Sequence, residues 1–289
     1  KLTFIDTPGH AAFTEMRARG SKLTDIVVLV VAADDGVKPQ TIESIKHAKA
    51  AKVPIVVAIN KCDLPEADPQ KIKNQLLEHE LIAEELSGDT LMIEISTKTK
   101  KNLDKLLEAI LLQAEILDLK TDHDIKASGI ILESKIDIGR GPVANVIITS
   151  GTLNKGDYFA SGLRYGKARA IINDLGENIN QALPSTPIEI LGINGAAKAG
   201  DDFLVLENEK EAKTLSEARI QESKDNKNPL TLATQESAFK DKITEELNII
   251  IKSDVHGSSE AIKNAISQIN HEEVNSKIIL SDIGMITET

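Results

Sequence analysis

The sequence contains very few aromatic residues and a single cysteine. Aromatic side chains make up 2% of its 289 residues and tryptophan is missing, so aliphatic side chains must build the cores. With only Cys62, no disulfide can form within the chain, and this composition suits the reducing cytoplasm. No apolar run reaches the roughly 18 residues of a membrane-spanning helix. The sequence therefore predicts a cytoplasmic protein that does not cross a membrane.

Basic residues are also in deficit. The chain has 34 Lys and Arg against 45 Asp and Glu, a net charge of −11. A general nucleic-acid coat is excluded, since phosphate contacts need Lys and Arg, although local contacts with RNA are compatible with this balance. The length and the 41% hydrophobic content indicate a globular chain of about two or three domains.

Residues 1–120 alternate apolar runs with helical periodicity, which is typical of a mostly parallel sheet with helices on both faces. We expect this α/β domain to contain strands at 2–5, 26–31, 54–59 and 91–95 and helices at 12–21, 39–52, 69–86 and 102–117.

Glycine-rich turns between short β-branched runs predict a β-barrel at 127–208, with strands at 129–132, 143–149, 167–172, 188–191 and 203–206. Residues 209–245 are charged and predict a partly helical linker, most mobile at 221–228. Residues 246–289 predict the start of a truncated α/β third domain. Its strands lie at 247–251 and 277–280, and the helix between them is capped by residues 257–259.

The motif at 6–10, here called the DTPGH segment, follows the first predicted strand. A carboxylate at a strand exit can hold hydrated Mg²⁺, and a glycine lets a phosphate approach its amide closely. Taken alone, the motif is explained equally well by an ordinary turn with an exposed histidine. Its residues are Asp6, Thr7, Pro8, Gly9 and His10.

The most specific motif is NKCD at 60–63. An ionised Asp63 can accept both donors on one edge of guanine, whereas adenine would leave the carboxylate unpaired. Asn60 can tie neighbouring loops together, and the Lys61 stem can cover a ring face. The alternative is a loop whose Asx side chains bind its own backbone. The residues that follow the predicted strand at 91–95 can support the base, although alone they also suit a polar turn. They are Ser96, Thr97 and Lys98.

Four motifs of the chain together resemble those of the translational GTPases. They are DTPGH (6–10), AADDGVKPQT (32–41), NKCD (60–63) and STK (96–98). Longer stretches resemble the bacterial translation initiation factor 2 family within that group, at 10–37, 139–157 and 253–262. The resemblance implies a phosphate-loop GTPase domain, a β-barrel second domain and the beginning of a third domain.

The resemblance also implies roles. Asp6 would hold Mg²⁺ through water, the Gly9 amide would sense the γ-phosphate of GTP, and His10 would orient the hydrolytic water or stabilise the transition state. The guanine would be read by residues 60, 61 and 63 with support from 96–98, and residues 7–20 would be the segment that reorganises when GTP becomes GDP. Expected partners are the small and large ribosomal subunits and initiator tRNA, with the factor acting as a monomer.

One departure from the family concerns the phosphate loop, Gly followed four residues later by Gly-Lys-Ser/Thr. The only Gly-Lys pair is Gly166-Lys167, where Ala168 replaces the hydroxyl residue. We expect a partial sequence, with the phosphate loop upstream and the tRNA-binding region downstream, and expect this piece alone to be inactive. The alternatives are another translational GTPase, an elongation or recycling factor, and a nucleotide-independent ribosome-associated module.

Overall fold

The computed structural model describes residues 2–227, 245–269, 274–284 and 286. Contacts within the chain define two compact units, residues 5–120 and residues 121–289 together with 1–4. The predicted combination of α/β and all-β architecture is confirmed. None of the described helices is long and apolar enough to cross a membrane.

The first unit is built on a three-stranded parallel sheet with the strands in chain order. Its strands are β1 (Val27–Ala32), β2 (Ile55–Asn60) and β3 (Met92–Glu94), and its helices are α1 (Thr14–Leu23), α2 (Pro39–Ala51), α3 (Pro69–Leu77) and α4 (Leu103–Ile116). The strand β2 lies in the middle and is almost completely buried, as its continuous apolar sequence predicts.

The parallel register places the carboxyl ends of the strands at one edge of the sheet. Ala32 is paired with Asn60 at the ends of β1 and β2, and Ile59 with Glu94 on β3. Apolar side chains of α2 and α3, among them Ile45 and Ile72, pack onto the sheet and hold this edge in place. Polar residues that follow the strands are therefore brought together.

The predicted opening strand at 2–5 is wrong. Residues 2–9 form no regular secondary structure, and Phe4 is 66% exposed. A strand needs a hydrogen-bonded neighbour, and β1 has only β2 as a partner among the described strands. Instead, Thr3 Oγ1 donates a hydrogen bond to the carbonyl of Ser185.

The predicted helix at 69–86 is too long. The helix α3 ends at Leu77, and Glu80 has a left-handed backbone with φ of 59° that interrupts the helical ladder. A short 3₁₀ turn, Glu84–Leu86, follows. The helix predicted at 12–21 is α1, preceded by a 3₁₀ turn at Ala11–Phe13.

The second unit contains a closed β-barrel, as predicted. Six strands form the ring in the order β11 (Pro187–Ile193), β5 (Gly141–Ser150), β4 (Ser128–Asp137), β12 (Asp202–Leu206), β7 (Tyr158–Ser161) and β8 (Arg164–Asn173), and pairing of β8 with β11 closes it. Phe159 and Phe203 lie fully buried in its core, with ring centroids 4.8 Å apart. The strands of this unit are β4 (Ser128–Asp137), β5 (Gly141–Ser150), β6 (Leu153–Asn154), β7 (Tyr158–Ser161), β8 (Arg164–Asn173), β9 (Asn178–Ile179), β10 (Gln181–Ala182), β11 (Pro187–Ile193) and β12 (Asp202–Leu206).

The described part of the mobile linker predicted at 221–228 is helical. A helix, α5 (Glu209–Lys227), runs through it, while residue 228 lies outside the described residues. The first part of α5 is fixed to the barrel because Ser216 and Arg219 donate hydrogen bonds to the carbonyls of Leu163 and Gly162.

The last part of the chain is a strand–helix–strand unit with parallel strands, as predicted. It comprises β13 (Glu245–Ser253), α6 (His256–Ser267) and β14 (Val274–Ile283). The predicted cap at 257–259 is wrong, because α6 begins after Val255 and has no side-chain cap. Ser259 is buried and hydrogen-bonded to Ser281 on β14, so it joins the helix to the sheet.

Candidate functional site

The loops that follow β2 and β3 are joined by Asn60. Its Oδ1 accepts a hydrogen bond from the Thr97 amide at 3.1 Å, and its Nδ2 lies 3.4 Å from Thr97 Oγ1. The backbone keeps the loops parallel, since the Cys62 amide donates to the carbonyl of Ile95. Asn60 therefore ties the two loops together, as predicted.

Asp63 is held by a serine from the other loop. Ser96 is 0% exposed, and its Oγ donates to Asp63 Oδ1 at 2.7 Å while accepting from the Thr99 amide at 3.1 Å. The Ser96 hydrogen bond lowers the pKa of Asp63, and the charge of Lys98 contributes in the same direction. Asp63 itself stays exposed. The site thus presents an ionised, oriented carboxylate to solvent.

Lys61 makes a contact that the sequence motif did not predict. Its Nζ lies 2.9 Å from Asp34 Oδ2 and 3.7 Å from Asp35 Oδ2, and its backbone is left-handed with φ of 66°. The hydrogen bond lowers the pKa of Asp34 and raises that of Lys61. Residues 33–35 form a turn at the end of β1, closed by the Gly36 amide, which donates to the Ala32 carbonyl. In the sequence, the position of Asp34 and Asp35 just after β1 was the feature from which this ion pair with Lys61 could have been predicted.

Cys62 fills space in the loop. It is half-buried, its Sγ donates to the carbonyl of Ile59, and burial raises the pKa of its thiol. A thiol whose pKa is raised is a poor nucleophile at neutral pH.

The DTPGH segment forms a second cluster, whose contacts run to α1. A Cβ added at Gly20 of α1 would lie 3.0 Å from Thr7 Cγ2, so the small residue there admits the threonine. Asp6, Gly9 and His10 are exposed, and no atom outside Pro8, Gly9 and His10 lies within 4 Å of a Cβ built on Gly9. The segment therefore presents a bare backbone and two polar side chains to solvent.

A cleft of about 410 Å³ opens beside this segment, between it, β1 and α2. Its walls combine polar groups with the exposed Val30 of β1, and they include Asp6, Thr7, Gly9, Arg17 and Ser44.

Arg17 of α1 fixes the segment and was missed by the sequence analysis. Its Nη1 donates to the carbonyls of Pro8 at 2.9 Å and His10 at 2.6 Å, and its Nη2 lies 2.8 Å from Glu43 Oε1 on α2. Burial alone would raise the pKa of Glu43, but hydrogen bonding and the charge of Arg17 outweigh it and lower that pKa. The arginine is therefore paired with an ionised carboxylate.

The fit of the site to Mg²⁺ rests on Asp6. No group of three or more His, Cys, Asp and Glu side chains in the described part of the chain is arranged to hold a metal ion. Mg²⁺ commonly binds one or two carboxylates together with substrate phosphates and water. An exposed carboxylate such as Asp6 fits an ion that is held mainly by phosphate and water.

Three family models match successive parts of the chain. The elongation factor Tu GTP binding domain matches residues 1–115, elongation factor G domain 2 matches 126–206, and translation-initiation factor 2 matches 221–289. The three together span nearly the whole sequence.

Curated relatives match the chain along its full length. A protein named translation initiation factor IF-2 from Pelagibacter ubique is 79% identical over 289 residues, which are 100% of this chain and 39% of the relative. The protein of the same name from Cereibacter sphaeroides is 52% identical over 293 residues, covering 100% of this chain and 35% of the relative. The chain thus spans less than half the length of these relatives.

Solved structures share the fold. A GDP-bound aIF5B from Aeropyrum pernix superimposes with a TM-score of 0.64 at 24% identity, over 97% of this chain and 52% of that one. A bacterial selenocysteine-specific elongation factor, EF-Sec, gives a TM-score of 0.56 at 23% identity, over 69% of this chain and 34% of that one. At these identities the likeness concerns the fold.

Proposed function

The chain belongs to the translational GTPases and matches bacterial translation initiation factor IF-2 along its whole length, and from this premise we propose that it is part of an initiation factor that binds GTP and GDP with Mg²⁺ and hydrolyses GTP. The family match at residues 221–289 favours initiation over elongation or recycling, because it names the initiation factor.

The observation that carries this proposal is the hydrogen-bonded cluster after β2 and β3. Asp63 faces solvent with its Oδ1 fixed by Ser96. Each carboxylate oxygen has two lone pairs, so Asp63 can keep the Ser96 bond while accepting the ring N–H and the exocyclic amine of guanine. Adenine presents an acceptor and no matching pair of donors at these positions. The cluster thereby supports selection of guanine.

The neighbouring groups complete the base site in this proposal. Asn60 holds the loop of residues 96–98 against β2, so that a backbone amide of this loop can donate to the guanine carbonyl. Asp34 holds the ammonium of Lys61, which leaves the aliphatic stem to lie along a ring face. Thr97 and Lys98 are exposed at the rim, where Lys98 adds positive charge.

The DTPGH segment would serve the phosphates. Asp6 would bind Mg²⁺ through water, the Gly9 amide would donate to the γ-phosphate, and His10 would orient the attacking water. Thr7 and Pro8 would give the segment its shape. Catalysis of phosphoryl transfer is mainly positioning and charge stabilisation, so an exposed histidine next to a free amide suffices. Loss of the γ-phosphate would release residues 7–20.

As an initiation factor, the whole protein would act in the cytoplasm as a monomer. It would bind both ribosomal subunits, place initiator tRNA through a region outside this chain, and promote subunit joining. The net charge of −11 confines contacts with ribosomal RNA to local basic groups.

The test is Asp63→Asn in the full-length protein. The carbonyl oxygen of the new amide could still accept from the ring N–H, but its NH2 group would face the exocyclic amine of guanine, donor against donor, and would instead complement the second carbonyl of xanthine. We expect GTP affinity to fall by about tenfold or more and affinity for xanthosine triphosphate to rise, as measured by calorimetry.

The matched control is Asp104→Asn, which removes an exposed carboxylate of α4 in the same unit and should leave both affinities unchanged. Unchanged GTP affinity in Asp63→Asn would refute the proposed base site.

A further inference from the structure

Arg17 reaches the DTPGH segment from its buried side. The side chain is 5% exposed, projects from α1, and donates through one nitrogen to the carbonyls of Pro8 and His10. These two carbonyls flank Gly9 on either side. The guanidinium therefore fixes the Pro8–Gly9 peptide group, which carries the Gly9 N–H, and the carbonyl group of His10 on the other side of the glycine.

The direction of the Gly9 amide follows from the geometry of the peptide bond. All peptide bonds described in the structure are trans, so the Pro8 carbonyl and the Gly9 N–H point in opposite directions. With the carbonyl directed at Arg17, the N–H is directed away from α1. The open space around Gly9 leaves room for an acceptor to approach the exposed segment.

The guanidinium is itself held from a third direction. Nη2 contacts Glu43 Oε1, and Glu43 stands on α2, which is packed onto the sheet through Ile45 and Ala48. His47 Nε2 lies 3.3 Å from the same carboxylate oxygen. The buried guanidinium thus connects the DTPGH segment to α2, which is packed onto the sheet.

We propose that Arg17 is a positioning residue for GTP hydrolysis, which sets the orientation of the Gly9 amide and of His10 through the carbonyls of Pro8 and His10. This inference rests on the proposed function. Arg17 contacts the carbonyls of Pro8 and His10, and the Gly9 N–H is directed away from it, so its influence on the proposed phosphate passes through the segment. The base site after β2 and β3 is separate, so GDP binding should not depend on Arg17.

The experiment uses the full-length protein with Arg17→Met, Arg17→Lys and Glu43→Gln. GDP affinity is measured by calorimetry and ribosome-stimulated GTP hydrolysis by phosphate release. For Arg17→Met we expect hydrolysis to slow by about 100-fold, the usual effect of misplacing a reacting group, with GDP affinity nearly unchanged. Arg17→Lys should be similarly slow, since one ammonium cannot replace the planar fork.

Glu43→Gln keeps an oxygen acceptor for Arg17 and should slow hydrolysis less than Arg17→Met. Chemical rescue gives a second readout: millimolar guanidinium added to Arg17→Ala should restore part of the turnover by occupying the vacated pocket. The control is Lys49→Met on α2, the helix that carries Glu43. This change removes an exposed ion pair with Glu80, and the variant should hydrolyse GTP normally.

The outcomes separate the inference from the proposed function. If the wild-type protein hydrolyses GTP and Arg17→Met matches its rate, the positioning role is wrong and the proposed function stands. A parallel loss of GDP affinity, turnover and melting temperature without guanidinium rescue would also overturn it, because that pattern indicates a purely structural arginine. If the wild-type protein neither binds nor hydrolyses GTP, the proposed function fails and the inference fails with it.

Discussion

Ser96 Oγ lies 2.7 Å from Asp63 Oδ1 and commits its only proton to that carboxylate. The hydroxyl is fully buried, and it also accepts from the Thr99 amide, which fixes its orientation. A residue after one strand thereby fixes the direction of a carboxylate that follows the neighbouring strand and lowers the pKa of that carboxylate.

Removing this hydroxyl should weaken guanine binding. In Ser96→Ala the carboxylate loses its hydrogen bond and its fixed orientation, and we expect GDP affinity to fall by about threefold to tenfold at neutral pH. Because Ser96 lowers the pKa of Asp63, its removal shifts that pKa back toward the ordinary value of 3.8. The carboxylate of the variant then protonates at a higher pH, so the affinity deficit should grow as the pH is lowered.

Calorimetric titrations with GDP from about pH 7 to about pH 4.5 measure this trend. Ser87→Ala, an exposed serine, serves as the control. An affinity ratio that stays at one over the whole range would contradict the role of Ser96.

Replacing His10 should separate hydrolysis from binding. His10 is exposed beside the Gly9 amide and far along the chain from the base site, so His10→Ala should leave GDP affinity nearly intact. We expect ribosome-stimulated hydrolysis to slow by about 100-fold or more, the usual contribution of a group that orients or deprotonates water. Single-turnover phosphate release measures the rate, with His123→Ala, an exposed histidine of the other unit, as the control. Wild-type turnover in His10→Ala would remove this residue from the mechanism.

The acid stability of the barrel should depend on Asp137. Arg140 and the amides of Gly139 and Arg140 lower the pKa of Asp137 from 3.8 to about 2. A pKa that is lower in the folded state gives stability that is present above about pH 4 and lost as the pH falls toward 2. The melting temperature of Asp137→Asn should therefore lie below that of the wild-type protein at neutral pH, and the two should converge under acid conditions.

Asp174→Asn, an exposed carboxylate in the same unit, should show no such convergence. Melting curves of Asp137→Asn and wild-type protein that remain parallel down to about pH 2 would show that the Arg140 interaction contributes nothing to folding.

The barrel core should be sensitive to Phe203. This side chain is completely buried and packs against Phe159, so Phe203→Ala should leave a cavity and cost about 3–5 kcal/mol of unfolding free energy. Urea unfolding, monitored through the hydrogen exchange of amides in the barrel, measures the loss of unfolding free energy. Leu175→Ala, which truncates a side chain that is 76% exposed, should change the stability little. Equal stability of the two variants would contradict the assigned core.

The sequence predicts elements well wherever apolar residues form uninterrupted or alternating runs. The buried strand β2 and the barrel strands are of this kind. The hydrogen bond between Asn60 and Thr97 was also predictable, because the carboxyl ends of neighbouring parallel strands lie together. The run at 2–5 has the same composition as a strand, but among the described residues no strand is paired with it. The composition of a segment indicates its preference for strand structure, but it does not show whether a neighbouring strand is present to pair with it.

The role of Arg17 and the helical state of residues 221–227 were not predictable, for different reasons. A single arginine in a short polar helix carries no pattern, and its meaning arises only when α1 lies against α2. Residues 221–227 are polar or charged throughout, a composition that predicts a linker, although Ser216 and Arg219 fix the preceding turns of α5 to the barrel. In both cases the decisive contacts are with residues distant in the sequence.

The order of strands in the barrel has a consequence for synthesis. The strand β12 is the last of the ring to be made, and it lies between β4 and β7, with Phe203 opposite both Gly129 and Ser161. Until residue 206 has left the ribosomal tunnel, β4 and β7 each present an unpaired edge to other nascent chains. The barrel is thus vulnerable to aggregation through most of its translation, and insertion of its final strand removes both edges at once.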